Sequence, residues 1–340
     1  MSFQRALLEY FDQQRRDLPW RHEPDPYRIW ISEVMLQQTR VETVRAYYER
    51  WIRQFPDLQA LARAPIDDVL KAWQGLGYYT RARNLHRAAQ VVCERYQGTL
   101  PATFAELHAL PGIGEYTAGA VASIAYRIPA PAVDGNVKRV LARLLDAPRL
   151  SARAYRDQAT RLVPQERPGD FNQSFMELGA TICTPRAPRC PRCPVSAHCL
   201  SFARGTQLLR PERKASKPLP DRHFVVLLIL DAAQRVLVRQ RPEQGLLAGL
   251  WEFPTFEAKR PHRFFRQLLG ETTSRPRSLG TVMHAFSHFR AHYAVHFCRV
   301  PRLSRKKSEF MALSFMELDK LALPTAQHKI LRLLIDVIDE

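Results

Sequence analysis

The sequence predicts two unlike domains in one chain: a mainly α N-terminal domain that closes on a cysteine-rich loop, then a smaller α+β domain. Three observations predict this. Helical spacing of apolar residues, with caps and breakers, fills the first two thirds. Four cysteines then crowd into CTPRAPRCPRCPVSAHC. After a basic, proline-containing stretch, the texture changes to short strand-like runs. The length of 340 residues exceeds one typical domain, and 46% hydrophobic content is enough for packed cores. The expected boundaries are 1–203 for the helical domain, 204–220 for a linker and 221–340 for the α+β domain.

Taken in order, Asp25 and Pro26 form an N-cap and first-turn pair opening a helix that holds ISEVMLQQT. GLGYY reads as a flexible loop, and TRARNLHRAAQVVCERY as a helix with Leu85, Ala88, Ala89 and Val92 on its apolar face. In LPGIGEYTAGAVASIAY, Gly112 and Gly114 form a tight turn into an apolar helix, where backbone can approach a phosphate and aim free N–H groups at it. VDGNVKRVLARLL places Asp134 just before another helix. RGTQLLRPERKASKPLP, with five basic residues and the single acid Glu212, reads as the linker. HFVVLLIL and RVLVRQR then flank the turn-like DAAQ. LWEF, a short helical PHRFFRQLLG, two strands around Gly280 to Val300 and a closing helix Ala322 to Ile338 complete the second domain.

With 51 Lys and Arg against 33 Asp and Glu, the net charge is +18, and the pI is about 10.1. Such a balance favours a polyanionic partner. The longest apolar run, Phe224 to Leu230, is too short to span a bilayer, and MSFQRALLEYFDQQRRD lacks signal-peptide anatomy. The expectation is a cytoplasmic protein that binds nucleic acid and no membrane. Cys183, Cys190, Cys193 and Cys199 form one knot around a C-x-x-C centre, a pattern of thiolate metal ligation rather than of a disulfide framework. Four thiolates suit tetrahedral zinc or a [4Fe-4S] cluster. Cys93 and Cys298 read as buried packing residues.

Two carboxylates carry the chemistry. Glu33 lies among Trp30, Ile31, Val34, Met35 and Leu36, and burial there would raise its pKa into the range of a proton donor. Asp134, as a solvated cap, is expected to stay ionised. Carboxylates with separated pKa values can cleave a glycosidic bond through an oxocarbenium-like transition state.

SEVMLQQT, WQGLGYYTRARNL, LPGIGEYTAGA, AVDGNVKRVLAR, FNQSFMELGATICTPRAPRCPRCPVSAHC, GLWEFP and AFSHF closely resemble the MutY-type adenine DNA glycosylases of the helix-hairpin-helix superfamily, in order and over nearly the whole chain. The resemblance implies a glycosylase that excises adenine mispaired with 8-oxoguanine or guanine in double-stranded DNA during base excision repair, as a monomer of the bacterial, nucleoid-associated type. The cysteine spacing of six, two and five residues is similar to that superfamily's cluster loop, which implies one [4Fe-4S] cluster per chain. By the same resemblance Glu33 is the general acid at adenine N7 and Asp134 the carboxylate facing positive charge on the deoxyribose, with Asn136 and Tyr116 beside them. Trp20, Arg21, Leu36 and Gln173 match positions lining the adenine pocket, and Gln38 and Tyr78 match intercalating residues. Lys138, Arg186, Arg189 and Arg192 are expected on backbone phosphates. Relatives that also nick DNA bear a lysine where this chain has Tyr116, so the resemblance implies a monofunctional enzyme.

The second domain resembles a Nudix-like module. KRPHRFFRQLLG lacks the glutamates that would hold magnesium, so recognition without catalysis is expected, with Ser287 and His288 against 8-oxoguanine. Two other readings remain at this level: a bifunctional endonuclease III-like enzyme, disfavoured by Tyr116 and the extra domain, and a non-catalytic lesion-binding protein, which has no use for both carboxylates.

Overall fold

Asp25 caps the helix that matters most: its side chain accepts from the Arg28 N–H at 2.7 Å, and Pro26 fills the first turn, where no N–H is needed. In the computed structural model, which describes residues 2–212, 218–257, 268, 276–307 and 309–339, this is α2 (Pro26–Leu36), following α1 (Phe3–Gln14). The helical series continues with α3 (Val41–Gln54), α4 (Leu58–Arg63), α5 (Ile66–Ala72), α6 (Thr80–Arg95), α7 (Phe104–Ala109) and α8 (Glu115–Tyr126). It ends with α9 (Gly135–Leu144), α10 (Ala152–Leu162), α11 (Pro168–Thr181) and the short α12 (Leu200–Ala203).

The chain divides into two compact units, residues 1–63 with 84–215, and residues 64–83 with 216–340. Segment 64–83, which the sequence places in the helical domain, thus groups with the sheet. Side-chain reach explains the grouping: Gln74 Oε1 accepts from the Leu323 N–H at 3.2 Å, Gln240 donates to Asp67 at 3.2 Å, and Lys71 donates to the Leu321 carbonyl at 3.4 Å.

Within the first unit, α7 and α8 form a helical hairpin. Gly112 turns it at φ 73°, and a Cβ there would collide with the Asn84 side chain at 2.4 Å. Gly114 is the N-cap of α8 and faces open space. The apolar faces of α1, α9 and α11 bury Leu7, Val140, Leu141, Phe171 and Phe175 in one core, against which three of the loop cysteines pack.

The second unit is built on an eight-stranded sheet among the described residues, ordered β5 (Arg277–Ala285), β6 (Arg290–Val300), β1 (Asp221–Asp231), β2 (Arg235–Gln240), β8 (Phe310–Ser314) and β7 (Lys306–Lys307). Two short strands flank that path, β3 (Trp251–Glu252) on β2 and β4 (Thr255–Phe256) on β1. Strands β1 and β6 run parallel in an otherwise antiparallel sheet, with Val225 opposite Ala294. Both faces of β1 are covered. Val226, Leu228 and Leu230 belong to one core with Ile330 and Leu334 of the closing helix α14 (Thr325–Asp339), while Val225, Leu227 and Ile229 belong to a second core with Phe310 and Cys298. That is why Phe224 to Leu230 reads as unbroken apolar sequence without being a membrane segment. The sequence reading missed β8 and the short α13 (Phe315–Asp319), which a Ser314–Glu317 capping box starts. The expected helix PHRFFRQLLG lies outside the described residues, Leu268 excepted. Cys298 is buried as expected, whereas Cys93 is only half-buried.

Candidate active site

Helix α2 is buried on nearly every side, so Glu33 is carried into an apolar interior and is only 6% exposed. Helix α8, entered through the Gly112 turn, brings Tyr116 over it. The Tyr116 hydroxyl donates to Glu33 Oε2 and also lies 3.3 Å from the Met176 sulfur. Burial pushes the Glu33 carboxyl up to about 7, against the lowering effect of the Tyr116 bond; the charge of Asp134 adds to the rise and Arg21 opposes it. A carboxylic acid that changes charge near neutrality can both give and take a proton at physiological pH.

Asp134 is indeed the N-cap of α9, and it is more than a cap. Its Oδ1 accepts from the Val137 N–H at 2.7 Å and its Oδ2 from Asn136 Nδ2 at 2.8 Å. The expected solvation is corrected by the structure: the side chain is half-buried, and desolvation raises its pKa while those hydrogen bonds and Arg139 lower it. Asn136 in turn accepts from Arg139 Nη2 at 2.8 Å, and Arg139 donates to the Gly179 carbonyl at 2.7 Å and through Nε to the Cys183 carbonyl at 2.8 Å. An unbroken chain of hydrogen bonds therefore runs from the Asp134 carboxylate to the backbone of the first loop cysteine.

Glu33, Asp134, Tyr116 and Asn136 line one cavity of about 150 Å³ with Trp20, Arg21, Leu36 and Gln173. All eight sequence-derived positions of the pocket meet there. The same cavity holds two charged residues the sequence reading missed, Arg16 and Glu177. Glu177, only 2% exposed, accepts from Arg16 Nε at 2.5 Å and Nη2 at 3.0 Å, and from Arg21 Nη2 at 3.0 Å. Burial works to raise its pKa, but the two guanidiniums prevail and hold it below its ordinary value. Arg21 Nε also donates to Gln173 Oε1 at 3.1 Å, so the wall is one connected network. A signal for Glu177 was present: in FMELG it stands beside Phe175, Met176 and Leu178, the same acid-among-apolar pattern that marked Glu33.

The four loop cysteines line a single hollow of about 20 Å³ with Arg143, and none is in a disulfide. Arg143 is buried and donates to Cys183 Sγ at 3.2 Å and to the Cys183, Thr184, Pro185 and Arg210 carbonyls. No group of three or more His, Cys, Asp or Glu side chains is arranged to hold a metal ion among the described residues. Arg186, Arg189, Arg192 and Lys138 are exposed.

In the second unit, Tyr78, Ser287 and His288 line a cavity of about 410 Å³ together with Phe286, His284 and Leu246. Ser287 Oγ lies 3.2 Å from His288 Nδ1.

Residues 31–165 match the profile of the HhH-GPD superfamily of base excision DNA repair proteins, and residues 225–333 that of the NUDIX domain. The chain is 37% identical to the adenine DNA glycosylase of Mus musculus, over 98% of this chain and 78% of the mouse protein. The chain belongs to the adenine DNA glycosylase family. The adenine DNA glycosylase of Buchnera aphidicola subsp. Acyrthosiphon pisum (strain APS) is 31% identical over 89% of this chain and 88% of its own. Among solved structures, a thermostable thymine-DNA glycosylase superposes with a TM-score of 0.56 at 32% identity, covering 59% of this chain and 95% of its own. That likeness spans the helical part, whereas the likeness to the two adenine DNA glycosylases runs through both domains.

Membership makes this chain a base excision repair glycosylase with a helix-hairpin-helix core and a Nudix-like second domain. Among the described residues no helix is long and apolar enough to cross a membrane. Of the positions matched to the adenine pocket, intercalation or 8-oxoguanine, Gln38 lines neither cavity: it is exposed just past α2 with a left-handed backbone, φ 58°.

Proposed function

We propose that this glycosylase hydrolyses the N-glycosidic bond of adenine mispaired with 8-oxoguanine or guanine in double-stranded DNA, and does so without lyase activity. The observation that carries the reading is the pair of carboxylates in one cavity, Glu33 buried with its carboxyl pushed up to about 7 and Asp134 half-buried and held by two hydrogen bonds. Adenine must leave the stack to reach such a pocket. Glu33, protonated and steadied by Tyr116, gives a proton to adenine N7 and turns the base into a neutral leaving group. Asp134 opposes the positive charge that grows on the deoxyribose, at a position Asn136 fixes. Once the base has left, Glu33 has the charge to accept a proton from attacking water. The Arg16–Glu177–Arg21 network offers the purine edge both donors and acceptors, and Trp20 and Leu36 offer apolar walls. An amine nucleophile for a Schiff base is not among the residues lining this cavity.

Tyr78 and Gln38 fill the space the adenine vacates, and Ser287 and His288 read the 8-oxoguanine edge. Gly112 and Gly114 bring backbone N–H groups to phosphate, and Lys138, Arg186, Arg189 and Arg192 add charge. Cys183, Cys190, Cys193 and Cys199, the four thiols that line one hollow, would hold one [4Fe-4S] cluster, and Arg143 donates a hydrogen bond to the Cys183 sulfur beside it. When bound, the cluster supplies a covalent tie that shapes the loop. The setting is cytoplasmic and nucleoid-associated, and the working form a monomer.

The deciding measurement is excision from a duplex holding one 8-oxoguanine:adenine pair, with strand cleavage scored before and after alkali. Base release that exposes an alkali-labile site supports the reading; strand cleavage without alkali, trapped by borohydride, supports a lyase instead. Purified protein should carry about four iron atoms per chain; zinc in active protein would overturn the cluster assignment.

A further inference from the structure

The loop after α5 holds an aromatic ring out in water on a backbone that does not choose that conformation by itself. Gly75 and Gly77 adopt φ of 103° and 72°, and Tyr78 follows at φ 46°, a region that L side chains avoid. At Gly77 a Cβ would meet nothing within 4 Å, so glycine is there for its dihedral and not for space. Tyr78 is 51% exposed, while Trp73, Leu76 and Tyr79 around it are buried. The sequence alone reads GLGYY as flexible; the structure shows a loop tied at several points.

Arg81 makes most of those ties. Its Nη2 donates to the carbonyls of Leu76 at 3.1 Å and Gly77 at 3.2 Å, and its backbone N–H donates to the Tyr78 carbonyl at 2.9 Å. The guanidinium carbon lies 5.0 Å from the Trp73 ring centre and 5.8 Å from that of Tyr78. Trp73 Nε1 donates to the same Gly77 carbonyl at 3.0 Å, and the Tyr79 hydroxyl accepts from the Gly75 N–H at 3.4 Å.

We propose that Arg81 is a positioning residue for base extrusion: it sets the Tyr78 wedge in its inserting geometry before DNA arrives. This rests on the reading of Tyr78 as a wedge. A planar, multiply donating cation is what the arrangement requires, because one side chain must bridge two carbonyls and lie against two rings at once; a lysine ammonium has neither the plane nor the fork. Ordering the loop in advance removes an entropic cost that would otherwise fall on the insertion step.

The test is a double-mutant cycle read by single-turnover excision of adenine opposite 8-oxoguanine, with 2-aminopurine beside the 8-oxoguanine to report local unstacking. Arg81→Ala is expected to slow excision about tenfold and to reduce the unstacking signal, and in a Tyr78→Ala background it should cost no more than about twofold further. Arg81→Lys should behave within a few-fold of Arg81→Ala, and with Arg81→Gln it provides the test should the alanine variant fail to fold. An equal loss from Arg81→Ala with and without Tyr78 would overturn the proposal and make Arg81 an independent contact. Full activity of Arg81→Lys would overturn it too. If Tyr78→Ala alone excises within twofold of the unaltered protein, the wedge reading itself fails and this inference goes with it.

Discussion

The cavity around Glu33 and the cavity around Ser287 differ in the roles proposed for them, and their side chains differ in kind. The first is small and lined by charged groups, three carboxylates and two arginines: Glu177 pairs with both arginines, while Glu33 and Asp134 are held by Tyr116 and Asn136. The second, in the other unit, is larger and mostly aromatic or neutral, with Tyr78, Phe286, Ser287, His284 and His288 on its walls. Breaking a bond needs charges that are desolvated and held in place, because preorganised groups act where charge develops. Reading the identity of a base needs surfaces and a few hydrogen bonds that do not change charge. The difference predicts that substitutions in the first cavity act on rate and those in the second on preference.

The largest effect should come from Glu33→Gln. The amide keeps the size and the Tyr116 partner but delivers no proton, so adenine release should fall by about a hundredfold to ten-thousandfold with mismatch affinity retained. Turnover near the unaltered rate would falsify the general-acid role. The same variant has a stability signature. In the folded protein Glu33 keeps its proton up to about 7, whereas the unfolded chain releases it near its ordinary 4.5. The stability tied to the protonated form is complete below that lower value and is lost as pH rises through 7. At pH 8, then, Glu33→Gln should be more stable than the unaltered protein by on the order of 3 kcal/mol, and near pH 4 the two should melt alike. Asp134→Asn separates charge from capping: asparagine is as good an N-cap as aspartate, so melting should shift little while excision is lost. A large loss of melting temperature with excision intact would show Asp134 to be a cap and nothing more.

The pH profile should give the next largest effect. Excision is expected to decline above about pH 7, approaching tenfold per pH unit, as Glu33 loses its proton. A flat profile between pH 7 and 9 would move the acid role elsewhere in the cavity.

The two carboxylates of the first cavity were legible because their signals are local, whereas Trp20, Arg21, Leu36, Tyr116, Asn136 and Gln173 came from the family resemblance. An acid set among apolar residues on a capped helix announces burial, a Gly-x-Gly turn announces the helix entry, and an Asp before a helix announces a cap. What local sequence withheld was partnership. Arg16 and Glu177 are 161 residues apart, and RRD in isolation looks like any solvated basic run. The desolvation of Asp134 depends on what packs around it, and no pattern near position 134 reveals that. For the same reason the grouping of residues 64–83 with the sheet could not be read: α5 is an ordinary short amphipathic helix until Gln74 and Lys71 meet the backbone near Leu321 and Leu323. In the second unit, the continuous apolar run of β1 announced a strand, but that both of its faces are covered emerged only from the structure. The short β8, FMALS, offered too little alternation to be found.

For the second cavity, the sharper test is a point substitution. Truncation near Ala215 would strip residues 64–83 of the sheet they pack on, so its effects would mix recognition with damage to the Tyr78 loop. Ser287→Ala and His288→Ala should instead leave excision opposite guanine nearly unchanged and reduce the preference for 8-oxoguanine by about tenfold, the value of one hydrogen bond to the N7–C8 edge. Equal losses on both mismatches would remove the reading role from these two residues.

The smallest effects should come from outside both cavities, where the comparison makes its most restrictive statement: a residue that touches only phosphate changes neither rate nor preference. Arg189 and Lys138 are exposed and belong to neither cavity. Each phosphate contact releases a condensed counterion, so Arg189→Ala should flatten the slope of log affinity against log salt by about 0.9 and weaken binding only a few-fold at moderate salt. Single-turnover excision at saturating enzyme should stay the same on both mismatches, because the bound complex is then assembled regardless of affinity. Lys138→Ala provides the harder case. It sits on α9, four residues beyond Asp134, and donates its backbone N–H to the Asp134 carbonyl at 3.0 Å. Since alanine keeps that backbone bond and favours the helix, the cap and the carboxylate are left in place. A salt slope reduced by one contact, with an unchanged excision rate, would set Lys138 apart from the chemistry beside it; a slowed rate at saturation would mean that the cation also acts on Asp134, and that the charged cavity extends one helical turn further than its walls indicate.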